Sequence, residues 1–148
     1  QRCVTSCHMV DLFACCLDQI GLLEMKNCVD QTGGLVVLAD TFSQSVFKES
    51  FRRVFTRFPE DTKNPQDKNQ LMMAFAGTLE CITSREYRVR GAIGPCSSLK
   101  KKSPSVSDSE VGQGGTYAWR MGGIDPNTTI ALYFEVVQGQ DQQQQQQQ

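Results

Sequence analysis

The chain has 148 residues with 39% hydrophobic and 21% charged side chains, ordinary values for a folded domain, which exclude a wholly disordered or fibrous protein. A formal net charge of −1 gives no general pull toward nucleic acid, and no apolar stretch approaches the roughly 20 residues of a membrane-crossing helix. Seven cysteines is an odd number, and Cys15, Cys16 and Cys81 lie within apolar runs, so reduced core thiols of a cytosolic protein fit better than a secreted disulfide scaffold.

There is no signal peptide pattern, and Gln1 in place of a methionine predicts that the natural N-terminus lies upstream. Residues Met9 to Leu17 (MVDLFACCL) form a nearly continuous apolar run, the pattern of a strand covered on both faces in a parallel sheet. Asp18 and Gly21 end it. Leu22 to Val29 is predicted as a short helix with Leu22, Met25 and Val29 on one face, closed by Gly33 and Gly34, and Leu35 to Ala39 as a second buried strand. Thr41 and Gln44 have capping-box spacing before the clearest helix, on which Phe47, Phe51, Val54, Phe55 and Phe58 make one stripe. Lys48, Glu49, Arg52 and Arg53 take the opposite face, and Pro59 stops the helix.

Residues 59–70 are polar and rich in turn formers, and beyond them the hydrophobic period changes to two. Leu71, Met73, Phe75, Gly77 and Leu79 alternate with their neighbours, as do Tyr87 and Val89 with Arg88 and Arg90, and Tyr117, Trp119 and Met121 with Ala118 and Arg120. Ile130, Leu132, Phe134 and Val136 complete the set. Ser97 to Gly115 is a loop by composition and Asp125 to Asn127 a turn. The expected layout is α/β followed by all-β: an incomplete α/β part at 1–58, a linker at 59–70, a partial β-sandwich at 71–137 and a disordered glutamine-rich tail at 138–148. Two parallel strands cannot cover a sheet, which implies further strands belonging to the α/β part.

Asp18 and Asp40 each follow the carboxyl end of a predicted parallel strand, where open α/β sheets place ligands, but no D-x-S-x-S run accompanies them and turn or cap roles suffice. Cys3, Cys7 and His8 have no second C-x2-C pair or downstream histidine to complete a zinc site. His8 is the sole histidine, which leaves a Cys–His nucleophile pair one possible base, and no P-loop, nucleophile elbow or dinucleotide glycine pattern occurs. No enzyme is expected, and no catalytic, cofactor-binding or metal-binding residue is assigned. Lys100, Lys101 and Lys102 form the single basic cluster; they suit anionic lipid headgroups or simple solvation.

Longer strings narrow the choice: ACCLDQIGLLEMK at 14–26, TGGLVVLADTFSQSVFKESFRRVF at 32–55, GTLE at 77–80, TSRE at 83–86, GAIGPCSSLKKKSP at 91–104 and YFEVV at 133–137. Together they resemble the GTPase-activating subunit of the inner COPII vesicle coat, the Sec-twenty-three family. The resemblance implies the C-terminal end of a von Willebrand factor A-like trunk domain joined to a partial antiparallel β-sandwich. It further implies a role in endoplasmic reticulum to Golgi transport, cytosolic and peripheral on the endoplasmic reticulum membrane and COPII vesicles. The implied partners are the cargo-adaptor subunit as heterodimer, a Sar-type small GTPase, outer-coat subunits and anionic membrane. The family's zinc finger is expected before Gln1, and its helical and gelsolin-like domains, the latter expected to bring the activating arginine, after the glutamine tract. No zinc ligand or catalytic arginine therefore carries over. The rival from another class is an extracellular von Willebrand A-type domain that adheres through a metal.

Overall fold

The computed structural model describes residues 2–137; the glutamine-rich tail at 138–148 lies outside the described residues. A helical turn, α1 (Arg2–Thr5), is followed by β1 (Leu12–Cys15), α2 (Leu22–Thr32), β2 (Val36–Ala39) and α3 (Ser45–Val54). β1 and β2 pair in parallel, Leu12 opposite Val36 and Cys15 opposite Ala39, through the crossover helix that parallel strands require. The run Met9 to Leu17 thus yields a strand of four residues, each half-buried instead of covered on both faces, and Leu17 is 85% exposed. The reason is that each strand has one neighbour among the described residues.

α2 extends beyond Val29 to Thr32, whose buried hydroxyl donates to the Cys28 and Val29 carbonyls and accepts from the Val10 amide. It ends as expected at the glycine pair. Gly33 takes the left-handed conformation (φ 75°), and the Gly33 and Gly34 amides donate to the Asp30 and Val29 carbonyls. The capping box of α3 does not form: Thr41 bonds the Ser43 hydroxyl, and Gln44 occupies the cap position without a side-chain bond to the helix's amides. The helix also stops at Val54, short of Pro59. The Phe58 amide donates to Gln70 O and the Met72 amide to Thr56 O, while Arg57 bridges Leu71, so residues after the helix pair with those entering the β half. The polar segment between them is a loop closed at its base.

The second half contains β3 (Ala74–Glu80), β4 (Tyr87–Ile93), β5 (Ser97–Ser98), β6 (Gln113–Gly114), β7 (Ala118–Ile124) and β8 (Ala131–Val136). They form two antiparallel three-stranded sheets, ordered β3-β7-β5 and β6-β4-β8. The core is Val89, Ala92, Cys96, Trp119 and Met121, with Leu79, Cys81, Ile124, Ile130 and Leu132 against it. Trp119 and Met121 therefore point inward as their alternation predicts. Phe75 does not: it is 50% exposed, because Ala76 is left-handed (φ 59°) and breaks the pleat that would carry Phe75 to the side of Gly77 and Leu79. Tyr87, Phe134 and Val136 also remain exposed, the last two on the edge strand β8. Within the expected loop 97–115 lie the two-residue strands β5 and β6.

The two architectures touch backbone to backbone. A Cβ on Gly33 would sit 2.6 Å from the Gly123 carbonyl oxygen, and one on Gly122 would collide with the Thr32 carbonyl. Glycine at these positions lets the end of α2 lie directly on β7.

Candidate functional site

The basic cluster is built on β5. Beyond Ser98 the pairing with β7 continues, Leu99 N donating to Ala118 O and Tyr117 N to Lys101 O. The Lys100 amide donates to Ser98 Oγ and the Lys101 amide to the buried Thr116 hydroxyl, which itself donates to Ala118 O. Lys100 adopts a left-handed φ of 56°. The lysines are thus carried on an extension of a sheet, where sequence composition indicated a plain loop.

Lys101 Nζ lies 2.6 Å from Glu80 Oε1, with both side chains about half exposed. The hydrogen bond that Lys101 donates to Glu80, reinforced by the carboxylate's charge, raises the Lys101 pKa above the ordinary lysine value. Water screens a pair this exposed, so its main effect is to cancel one of three positive charges. Lys100 and Lys102 form no ion pair among the described residues. After them Ser103 and Pro104 open a turn in which Val106 N donates to Ser103 O at 3.0 Å. Val89 N then donates to Ser105 O and Ser107 N to Val89 O, fastening the loop to the core strand β4.

The other candidate residues do not converge. Asp40 accepts from Gln44 Nε2 at 3.4 Å, and the Asp18 carbonyl accepts from Cys16 Sγ. Among the described residues no three His, Cys, Asp or Glu side chains are grouped to hold a metal, and Cys3, Cys7 and His8 are no exception. All seven cysteines are unpaired; Cys96 is buried, and burial pushes its thiol pKa up, whereas Cys16 and Cys28 are exposed instead of lying in the core. Arg90 Nε donates to Ser109 O.

Two features were only partly legible in the sequence. The first is a crevice of about 720 Å³ at the junction of the two halves, lined by Met9, Gly34, Arg53, Met73 and Asp125 among others. The Asp125 carboxylate there is spoken for: it accepts from the Asn127 amide and the Thr128 hydroxyl, and the Thr128 bond foremost holds its pKa below the usual carboxylate range. The glycine pairs 33–34 and 122–123 were the one sequence signal of that close approach. The second is an edge-to-face row of rings, Phe42–Phe47–Phe13–Phe51–Phe55, with centroids 5.2 to 5.8 Å apart. Phe42, Phe51 and Phe55 remain 70%, 46% and 55% exposed. An apolar row this open exceeds the scattered single hydrophobic residues of an ordinary surface and is of the kind that marks interaction sites.

Comparison with known proteins accounts for both halves in chain order. Residues 1–55 match the Sec23/Sec24 trunk domain and residues 74–148 the Sec23/Sec24 beta-sandwich domain. The Arabidopsis thaliana protein named "Protein transport protein SEC23 F" is 45% identical over 136 residues, which is 92% of this chain and 16% of that protein. The chain therefore spans a small part of the length of this curated relative. It belongs to the Sec23/Sec24 family, its α/β half corresponding to the trunk domain and its β half to the beta-sandwich domain.

Proposed function

We propose that the chain is a structural piece of a COPII inner-coat subunit and acts in transport from the endoplasmic reticulum to the Golgi. The observation that carries this reading is the likeness over 136 residues to a protein-transport relative at 45% identity, with two family domains matched in order. Its work is to present surfaces. The aromatic row on β1 and α3 packs against the remainder of a trunk domain, and Lys100 and Lys102, with Lys101 pinned beside them, approach anionic lipid. A cargo-adaptor subunit, a Sar-type GTPase and outer-coat subunits are the proposed partners, and the site of action is the cytosolic face of the endoplasmic reticulum. Nothing supports the extracellular adhesion reading, which would leave the β half unexplained.

The test is an exchange. The Arabidopsis relative carrying residues 1–137 of this chain in place of its matching segment should still co-purify with the cargo adaptor and sediment with liposomes bearing the GTP-loaded GTPase. A folded exchange protein that loses the adaptor contradicts the proposal. In the same protein, K100E/K101E/K102E should weaken binding to phosphatidylserine liposomes at low salt on the order of tenfold or more. Unchanged binding would assign the lysines to solvent.

A further inference from the structure

We propose that Ser103 is a phosphoacceptor for a proline-directed serine/threonine kinase, and that its phosphorylation cancels the positive field of the lysine cluster. The acceptor half of this proposal stands on the turn itself. The consequence half rests on the membrane reading of Lys100 to Lys102.

Ser103 is followed by Pro104, the one Ser-Pro dipeptide in the sequence. A proline after the acceptor suits an apolar kinase pocket because it brings no backbone N–H to be left unsatisfied there. Pro104 is exposed and Ser103 partly so. The span Lys102 to Pro104 lies between two fastened points, Lys101 bonded to Tyr117 and Ser105 bonded to Val89. What holds Ser103 in place is local: its carbonyl accepts from Val106 N, and its hydroxyl accepts from Ser105 N and meets the Ser105 hydroxyl at 2.6 Å. Extending this span into a kinase cleft breaks those bonds and leaves the bonds to Val89 and Tyr117 intact. Ser107, by contrast, is buried, and Ser97 and Ser98 lie in the β5 ladder.

In the transfer Ser103 Oγ attacks the γ-phosphorus of ATP, the bond from that phosphorus to the β–γ bridging oxygen breaks, and ADP leaves. The hydroxyl proton passes to the kinase's base. The product carries about −1.5 to −2 charge at neutral pH. That matches the charge of Lys100 and Lys102, the two lysines that Glu80 does not pair. A phosphoryl group directly after Lys102 therefore leaves the cluster close to neutral, the arrangement of an electrostatic membrane switch.

The experiment takes the full chain with a purified proline-directed kinase and ATP, reads intact mass and maps the product. One phosphoryl group on Ser103 is expected, absent from Ser103→Ala and Pro104→Ala and retained on the acceptor of Ser103→Thr. Labelling elsewhere, or labelling indifferent to Pro104→Ala, overturns the site. Flotation with phosphatidylcholine vesicles containing phosphatidylserine then compares the two forms at low salt. The phosphorylated chain should bind on the order of tenfold more weakly. Equal binding of both forms overturns the switch. Absence of binding by the unmodified chain overturns the membrane reading and the switch with it, while the labelling result still decides the acceptor.

Discussion

Trp119→Ala is expected to lower the stability of the β half by about 3–5 kcal/mol, most of what a domain of this size possesses. Trp119 is the largest fully buried side chain and sits among Val89, Ala92, Cys96 and Met121. It does more than fill space. Its Nε1 donates to Gln113 O at 2.7 Å, which links β7 in one sheet to β6 in the other. Trp119→Phe keeps most of the apolar contact and leaves that carbonyl without its donor, so a smaller loss of about 1–3 kcal/mol is expected. Urea unfolding monitored by far-ultraviolet circular dichroism measures both. A loss below about 1 kcal/mol for the alanine variant would place the core elsewhere.

The second large effect is expected at the junction. Gly33→Ala places a methyl group in a left-handed residue, a strain of about 1–2 kcal/mol, and also drives it against the Gly123 carbonyl 2.6 Å away. Gly21 supplies the comparison, being equally left-handed (φ 66°), but a Cβ there meets only the Glu24 side chain at 3.2 Å. Gly21→Ala should therefore cost about the conformational strain alone, and Gly33→Ala at least twice as much. Hydrogen exchange should show the excess as lost protection at the end of α2 and along β7. Equal costs at the two positions would mean that the α/β and β halves do not touch there.

The sequence revealed which regions pack and by what period, because that information is local. The helical stripe through Phe47, Phe51 and Phe55, the inward Trp119 and Met121, and the glycine stop of α2 all follow from residues a few positions apart. Features set by distant residues did not show. β5 and β6 are two-residue strands hidden in a polar stretch, visible only through their pairing with β7 and β4. Phe75 faces outward because of one left-handed alanine, a conformation that alanine's identity does not announce. The lysine cluster was legible as a charge run. That Glu80, 21 residues earlier, neutralises its middle member was not. Phe13 and Phe42 joined the aromatic row from outside the helix, so the helix period alone showed three of its five rings.

The central proposal is that this chain contributes coat architecture and leaves the acceleration of GTP hydrolysis to other parts of the family's fold. An arginine delivered to the transferring phosphate is worth about 10³ to 10⁵ in rate, but only if it is free to reach and rigidly placed. Here Arg57, Arg90 and Arg120 donate to the chain's own carbonyls at Asn69, Ser109 and Ala76. Arg52 and Arg53 lie in the last turn of α3, and Arg53 lines the crevice at the junction. The direct measurement is single-turnover hydrolysis by a GTP-loaded Sar-type GTPase with and without a saturating concentration of the chain. The account predicts an unchanged rate constant; a rise of about a hundredfold or more would locate the catalytic arginine in this segment and contradict it.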